Sequence, residues 1–291
     1  MSIACFGEIL WDIFPDKKRL GGAPLNVALR LNSLGAGAVM LSAVGNDPLG
    51  GEALTEIRRH GLETATIVTV KNLPTGTVTV TLKDGDPSYT IGENVAWDSI
   101  ALNPAAQNKM GTCNALIFGS LALRGAHNKH TLNKILQTVT HRILDLNLRK
   151  PFYSGALILQ LLNTANLVKM NGEELGYVCS LLGISTLGTK QRLKQVSIKT
   201  ATPTICVTFG SKGAALYAEG NYYRRPSFPI EVEDTVGAGD AFLAGLVFEL
   251  LPSGDPEKAL ALGCALGALV ASKKGANCTI APTEVSKLLK Q

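Results

Sequence analysis

Short, uninterrupted apolar runs that alternate with stretches of helical length are what most restrict the folds open to this 291-residue chain. Strands are expected at Ile3–Phe6, Val39–Val44, Ala115–Phe118, Ile143–Asn147, Leu167–Met170, Ile205–Thr208 and Ala214–Tyr217. Helical spacing predicts helices over Leu25–Leu34, Gly50–His60, Lys129–Thr140, Glu173–Leu182, Ala241–Leu251 and Glu257–Ser272. A strand apolar along its whole length is buried on both faces. The alternation therefore implies an α/β fold, a mostly parallel central sheet covered by helices on both sides.

One segment breaks the rhythm. Between Thr64 and Gly92 the runs Ile67–Val70, Thr77–Leu82 and Tyr89–Ile91, with a turn at Asp84–Pro87, read as short hairpins. So small a sheet needs support from a larger body. The expected division is a large α/β domain of residues 1–63 and 93–291 and a β lid of residues 64–92, with part of 12–20. An ordinary edge hairpin of the main sheet is the alternative.

Hydrophobic residues make up 46% of the chain and charged ones 18%, which is globular rather than disordered. The net charge of +5 is mild and suits an anionic small ligand. No basic cluster exceeds Lys17-Lys18-Arg19, read as a solvated loop, so no nucleic-acid partner is expected. The six cysteines are scattered without a Cys-x-x-Cys spacing and read as reduced, buried small hydrophobes of a cytoplasmic protein. No signal peptide is expected ahead of Glu8, and the apolar run Ala259–Ala271 is too short to span a bilayer, so no membrane association is expected.

Chemistry concentrates in Asp234-Thr235-Val236-Gly237-Ala238-Gly239-Asp240, which follows a segment read as extended (Phe228–Glu233) and opens a helix. Backbone N–H groups at a helix start lack intrahelical partners and favour an anion, and glycines let it approach closely. Asp240 then stands beside the anion, where a carboxylate can take a proton from a hydroxyl attacking a phosphoryl group. On its own, the same residue would serve equally as a helix-start acid. A second glycine pair, Gly21-Gly22-Ala23-Pro24-Leu25-Asn26, precedes the first helix, and Asp12 follows the first strand. Asp12, Gly22 and Asn26 could converge on a polyhydroxylated ligand.

Gly-Gly-Ala-Pro-x-Asn-Val-Ala together with Asp-Thr-x-Gly-Ala-Gly-Asp-Ala-Phe resembles the ribokinase-like (PfkB) family of carbohydrate kinases, and within it the bacterial fructokinases. The resemblance runs from Gly7 to Ala276. It implies the ribokinase-like three-layer sandwich with a small β-sheet lid, which could also join two copies as a homodimer. Asp145-x-Asn-x-Arg149, Asn171-x-x-Glu174, Thr208-x-Gly-x-x-Gly213 and Lys273–Ala276 fall where that family has related motifs. ATP is then expected along Asn171, Glu174, Thr208, Gly210, Gly213 and Arg149, its γ-phosphate on the Gly237, Ala238 and Gly239 amides. Mg²⁺ would be held through water near Glu174, and K⁺ near Asp234 and the Val236 carbonyl. A small sugar, D-fructose first, would rest on Asp12, Gly21, Gly22 and Asn26, with Asp240 as base.

Each role has a plainer counterpart. Asn171 and Glu174 could be a helix cap pair, and Arg149 a surface charge. Tyr89, Trp97 and Asp98 read as packing, and the four histidines receive no chemistry. Two positions depart from ribokinases. Cys264 stands where they carry an adenine-contacting asparagine, so the base would rest on apolar packing. Ala23-Pro24 replaces their Lys-Gly, which argues against ribose. A kinase of another sugar, sugar acid, nucleoside or phosphosugar is the alternative, the last favoured only by Lys17-Lys18-Arg19. A non-catalytic sugar sensor is the other.

Overall fold

β-Branched and aliphatic runs pair into strands wherever neighbouring runs can cover both their faces, and here they do so in two compact units. The structure, a computed structural model, describes residues 2–83, 86–185 and 188–291. The first unit comprises Met1–Leu116 with Ala122–Val139, the second Ile117–Leu121 with Thr140–Gln291.

In the first unit the chain runs β1 (Ser2–Phe6), β2 (Leu10–Ile13), β3 (Lys18–Gly21), α1 (Ala23–Ser33), β4 (Gly37–Gly45), α2 (Pro48–Arg59), β5 (Ile67–Val70), β6 (Gly76–Lys83), β7 (Asp86–Ile91), α3 (Pro104–Met110), β8 (Cys113–Gly119) and α4 (Ala126–Leu136). β8 passes into the second unit at Ile117. β1 and β4 are parallel, with Ser2 opposite Gly37 and Phe6 opposite Leu41. β5 extends them in parallel, Ser42 opposite Ile67. This corrects the placing of Ile67–Val70 among the hairpins: Ile67 is buried and the Thr66 hydroxyl donates to the Met40 carbonyl at 2.7 Å, which holds the run against β4.

The small sheet has the order β3-β2-β6-β7. β2 is antiparallel to β3 and parallel to β6, and β6 is antiparallel to β7. Residues 10–21 thus supply half its strands. Lys18 and Arg19 lie on β3 rather than in a solvated loop, because their stems find aromatic partners. The Lys18 ammonium sits 5.1 Å from the Trp11 ring centroid and pairs with Glu52, and Arg19 lies 5.8 Å from the Phe14 ring centroid. Asp84 and Gly85 of the expected turn lie outside the described residues.

Below β7, the Arg124 guanidinium stacks on Trp97 at 4.0 Å, grips the Asp98 carboxylate at 2.6 and 2.7 Å, and donates to the Gly92 carbonyl at 2.8 Å. Trp97 and Asp98 are packing groups here, whereas Tyr89 is exposed. Asn128, fully buried, accepts from the Ile100 amide at 2.9 Å and donates to the Trp97 and Ala122 carbonyls at 2.7 and 2.8 Å.

The second unit continues with β9 (His141–Asp145), α5 (Gly155–Thr164), β10 (Leu167–Asn171), α6 (Gly172–Leu181), α7 (Thr189–Thr200), β11 (Thr204–Thr208), β12 (Ala214–Ala218), β13 (Asn221–Arg225), α8 (Ala238–Ser253), α9 (Pro256–Ala271) and α10 (Pro282–Leu289). β9, β10 and β11 are parallel, and β12 and β13 add antiparallel strands. Residues 228–233, read as extended, form no strand. α8 and α9 approach closely through glycines: a Cβ on Gly263 would stand 3.0 Å from the Phe242 carbonyl. Five of the six cysteines are buried and Cys278 is half-buried. Among the described residues no helix is long and apolar enough to cross a membrane.

Asn128→Ala leaves three buried backbone groups without their partner, so a loss of about 2–4 kcal/mol is expected. A urea midpoint equal to that of the wild type would contradict it.

Candidate active site

Two groups of residues carry the expected chemistry, one in each unit. In the second unit, the ends of β10 and β11 and the starts of α6 and α8 surround a cavity of about 590 Å³. Asn171, Thr208, Gly210, Gly213, Ala238 and Gly239 line it, as expected from the sequence. Its apolar wall adds Phe228, Pro229, Ile230, Val232, Phe242, Cys264, Ala268 and Ala271. The loop after β13, unreadable as a site from sequence, thus supplies much of a slot suited to a flat apolar group. Cys264 is part of that wall, and burial pushes its thiol up to about 11, so it stays neutral.

Why α8 starts where it does is visible in its backbone. Gly237 is the N-cap with φ 78°, a left-handed conformation, and a Cβ there would stand 2.2 Å from the Ala276 Cβ. The Ala238 amide is spent within the turn on the Thr235 carbonyl at 3.2 Å, so the expected trio of anion-facing amides is reduced. The Gly239 amide makes no hydrogen bond within the described residues. Asp240 occupies the first turn, half-buried. The Asp234 carboxylate accepts from the Val236 amide at 3.0 Å and the Gly275 amide at 3.1 Å, which ties this loop to the segment after α9.

The Asn171–Glu174 alternative resolves in the geometry as a reciprocal cap. The Glu174 amide donates to Asn171 Oδ1 at 2.9 Å and the Asn171 amide donates to Glu174 Oε2 at 2.8 Å. Glu174 Oε1 accepts from the Leu148 amide at 2.8 Å. Burial, then the nearby Asp145 charge, raise the Glu174 carboxyl above its ordinary range. Arg149 is exposed, does not line the cavity, and its guanidinium donates to its neighbour's Leu148 carbonyl at 3.2 Å. That matches the surface-charge alternative.

Sequence reading missed Lys169. It is buried in the middle of β10 with its ammonium on both Asp145 oxygens, at 3.0 and 3.3 Å. The signal was present: one lysine in an otherwise apolar strand, Leu167-Val-Lys-Met170. Burial pulls its pKa down, but Asp145 first and then Asp240 outweigh that, and the net shift is upward. Among the described residues no group of three or more His, Cys, Asp or Glu side chains is arranged to hold a metal ion directly.

The first unit gathers the other group. Gly22 caps α1 with φ 116°, and a Cβ there would stand 2.2 Å from the Glu8 carbonyl oxygen. Buried Glu8 accepts from the Ala23 amide at 3.2 Å, standing in for a cap side chain. Asn26 is buried in the first turn of α1. Asp12 lies on β2, and its Oδ2 is 2.9 Å from where a Cβ on Gly21 would be. Asp12, Gly21, Gly22 and Asn26 are therefore brought together where β2, β3 and α1 meet.

The sequence matches the pfkB family carbohydrate kinases over residues 6–284. It is 30% identical over 269 residues to a sugar kinase of Pyrococcus horikoshii, covering 86% of this chain and 82% of that one. The structure of that uncharacterized kinase in complex with ATP aligns with a TM-score of 0.84 at 26% identity, over 98% of this chain and 99% of that one. Fructokinase-1 of Oryza sativa subsp. japonica is 29% identical over 323 residues, covering 98% of this chain and 96% of that protein. A fructokinase with bound ATP from Xylella fastidiosa shares the fold, with a TM-score of 0.88 at 23% identity over 99% and 98% of the two chains.

Gly237→Ala forces a side chain into a left-handed turn and onto Ala276, and a loss of about 1–3 kcal/mol is expected. An unshifted thermal midpoint would show that the turn can relax.

Proposed function

The chain belongs to the PfkB family of carbohydrate kinases, and from that premise we propose that it transfers the γ-phosphate of ATP to the primary hydroxyl of D-fructose. The observation that carries this reading is the start of α8. There an uncommitted Gly239 amide and the Asp240 carboxylate adjoin a cavity with an apolar slot. An anion-binding amide next to a carboxylate is poor design for binding a phosphate alone, and good design for transferring one.

The purine would lie in the slot between Phe228–Val232 and Cys264–Ala271, its phosphates running past Asn171 and Thr208 toward Gly239. Asp240 takes the proton of the sugar hydroxyl as that oxygen bonds to the γ-phosphorus. The bond from phosphorus to the bridging oxygen breaks, and ADP leaves with its electron pair. Bound Mg²⁺ would neutralise phosphate charge. Glu174 fits it only through water, because both oxygens already accept amide hydrogens while each keeps a further lone pair. For K⁺, Asp234 would act by pinning the loop that presents the Val236 carbonyl.

The acceptor choice rests on the first unit. Asp12 and Asn26 offer a carboxylate and an amide suited to neutral hydroxyls, and position 23 is alanine, with no ammonium for a sugar phosphate or sugar acid. The rice relative at 29% identity is a fructokinase, which supports the same choice.

Asp240→Asn preserves shape but removes the base, so kcat should fall about 10²–10⁴-fold while ATP still binds. Turnover like that of the wild type would remove Asp240 from the mechanism. In an ADP-release panel of fructose, ribose, adenosine, 2-keto-3-deoxygluconate and fructose 6-phosphate, fructose should give the highest kcat/KM, and Asp12→Ala should abolish its turnover with nucleotide affinity unchanged. A different best acceptor would retain the kinase and replace the substrate.

A further inference from the structure

Lys169 is a costly residue to bury. An ammonium inside a sheet must be paired, and a buried pair contributes little stability that well-packed apolar side chains would not. Its pairing with Asp145 follows from register: Asp145 on β9 and Cys206 on β11 stand directly beside it, so all three side chains share one face of the sheet. Lys169 is 7% exposed and Asp145 4%.

The pair alone does not explain where the ammonium ends. Nζ stands 3.2 Å from the position a Cβ on Gly239 would take. Gly239 lies inside α8 and has no left-handed φ, so its backbone does not demand glycine. What the missing side chain provides is room for the ammonium against the turn. Its amide is also uncommitted among the described residues. A fixed positive charge and an unspent N–H donor therefore meet at the same residue, one position before Asp240. The other charged groups that act on this ammonium are Asp240 from α8 and Glu174 from α6, both negative. One cation thus faces three carboxylates and, with the Gly239 amide, offsets their repulsion of an incoming phosphate.

We propose that Lys169, aimed by Asp145, is a positioning residue of the transfer step: its ammonium, seated against Gly239, supplies the fixed positive charge that offsets the carboxylates and favours the transferring phosphoryl group at the start of α8. A preorganised charge shielded from water acts strongly on charge that develops in a transition state, and weakly on a ground state already neutralised by cations. The consequence is a loss in kcat rather than in nucleotide affinity. This inference rests on the sugar-kinase reading above.

The experiment compares Lys169→Met, the neutral double variant Lys169→Met/Asp145→Asn, and Lys169→Arg, by fructose-dependent ADP release, ATP titration calorimetry and thermal melting. The double variant removes both charges of the pair, Glu174 keeps its two amide donors, and the fold is expected to survive even where that of the single Met variant does not. It should bind ATP within about threefold of the wild type while kcat falls about 10²-fold or more, an effect the size of losing one preorganised donor. Lys169→Arg, which keeps the charge, should recover at least tenfold of that loss. A folded double variant with kcat within fivefold of the wild type would make the pair purely structural and overturn the inference. So would equal losses in the double variant and Lys169→Arg. Wild-type ADP release separates the two readings: if no sugar elicits it, the kinase reading falls and this inference with it, whereas an active wild type beside an equally active double variant sinks this inference alone.

Discussion

The Glu174 carboxylate is the contact on which the second unit's site depends. With one oxygen on the Leu148 amide and the other on the Asn171 amide, it ties the chain beyond β9 to the end of β10 and the start of α6. Three segments that would otherwise fray independently are held by a single buried group. The cost of burying that charge is visible in its raised pKa, and it is offset by the two amide donors and by Lys169. A carboxylate committed in this way is architecture first. Any role toward phosphates passes through the strand ends it fixes or through a bridging water.

Much of this was legible in the sequence where local rules act alone. The passage from loop to helix at the Gly237–Gly239 step and the acid in the first turn follow from capping and backbone rules that need no tertiary information, although the helical run itself was read only from Ala241 and begins at Ala238. The Asn171–Glu174 cap was legible as one of two alternatives. The parallel strands β1, β4, β10 and β11 were read within a few residues because they are mostly apolar.

What escaped needed partners from far along the chain. β2 and β3 are four residues each, too short and too mixed for a period, and β3 reads as a charged loop until Trp11 and Phe14 are seen beneath its cations. α5, apolar almost all round, and α7, polar almost all round, give no clear amphipathic stripe. β5 was assigned to the wrong sheet because alternation states that a run is a strand and not which neighbour it takes. Lys169 was passed over for the same reason: nothing local shows that its neighbours across the sheet are Asp145 and Cys206.

The helices differ in how they begin. α2, α3, α5, α6 and α9 start at Asp47, Asn103, Ser154, Asn171 and Asp255, whose side chains accept from first-turn amides, while α4 and α7 start at Gly125 and Gly188 with ordinary φ and no cap bond. α1 and α8 start at Gly22 and Gly237, both with positive φ, both without a cap side chain, and both so closely approached that a Cβ would fall 2.2 Å from another segment. A self-capped helix has spent its donors and is finished as a structure. A glycine-capped one gives up that side-chain bond, at a cost of only about a few tenths of a kcal/mol on typical scales, and keeps donors and space for something else. At α1 the Glu8 carboxylate takes up one amide, and Asp12 and Asn26 frame the rest. At α8 the Gly239 amide remains, with an ammonium on one side and a carboxylate on the next residue. The two helix starts built on positive-φ glycines are the two around which the polar side chains of each unit's candidate site collect, and so these glycines, more than the carboxylates, mark where those sites lie.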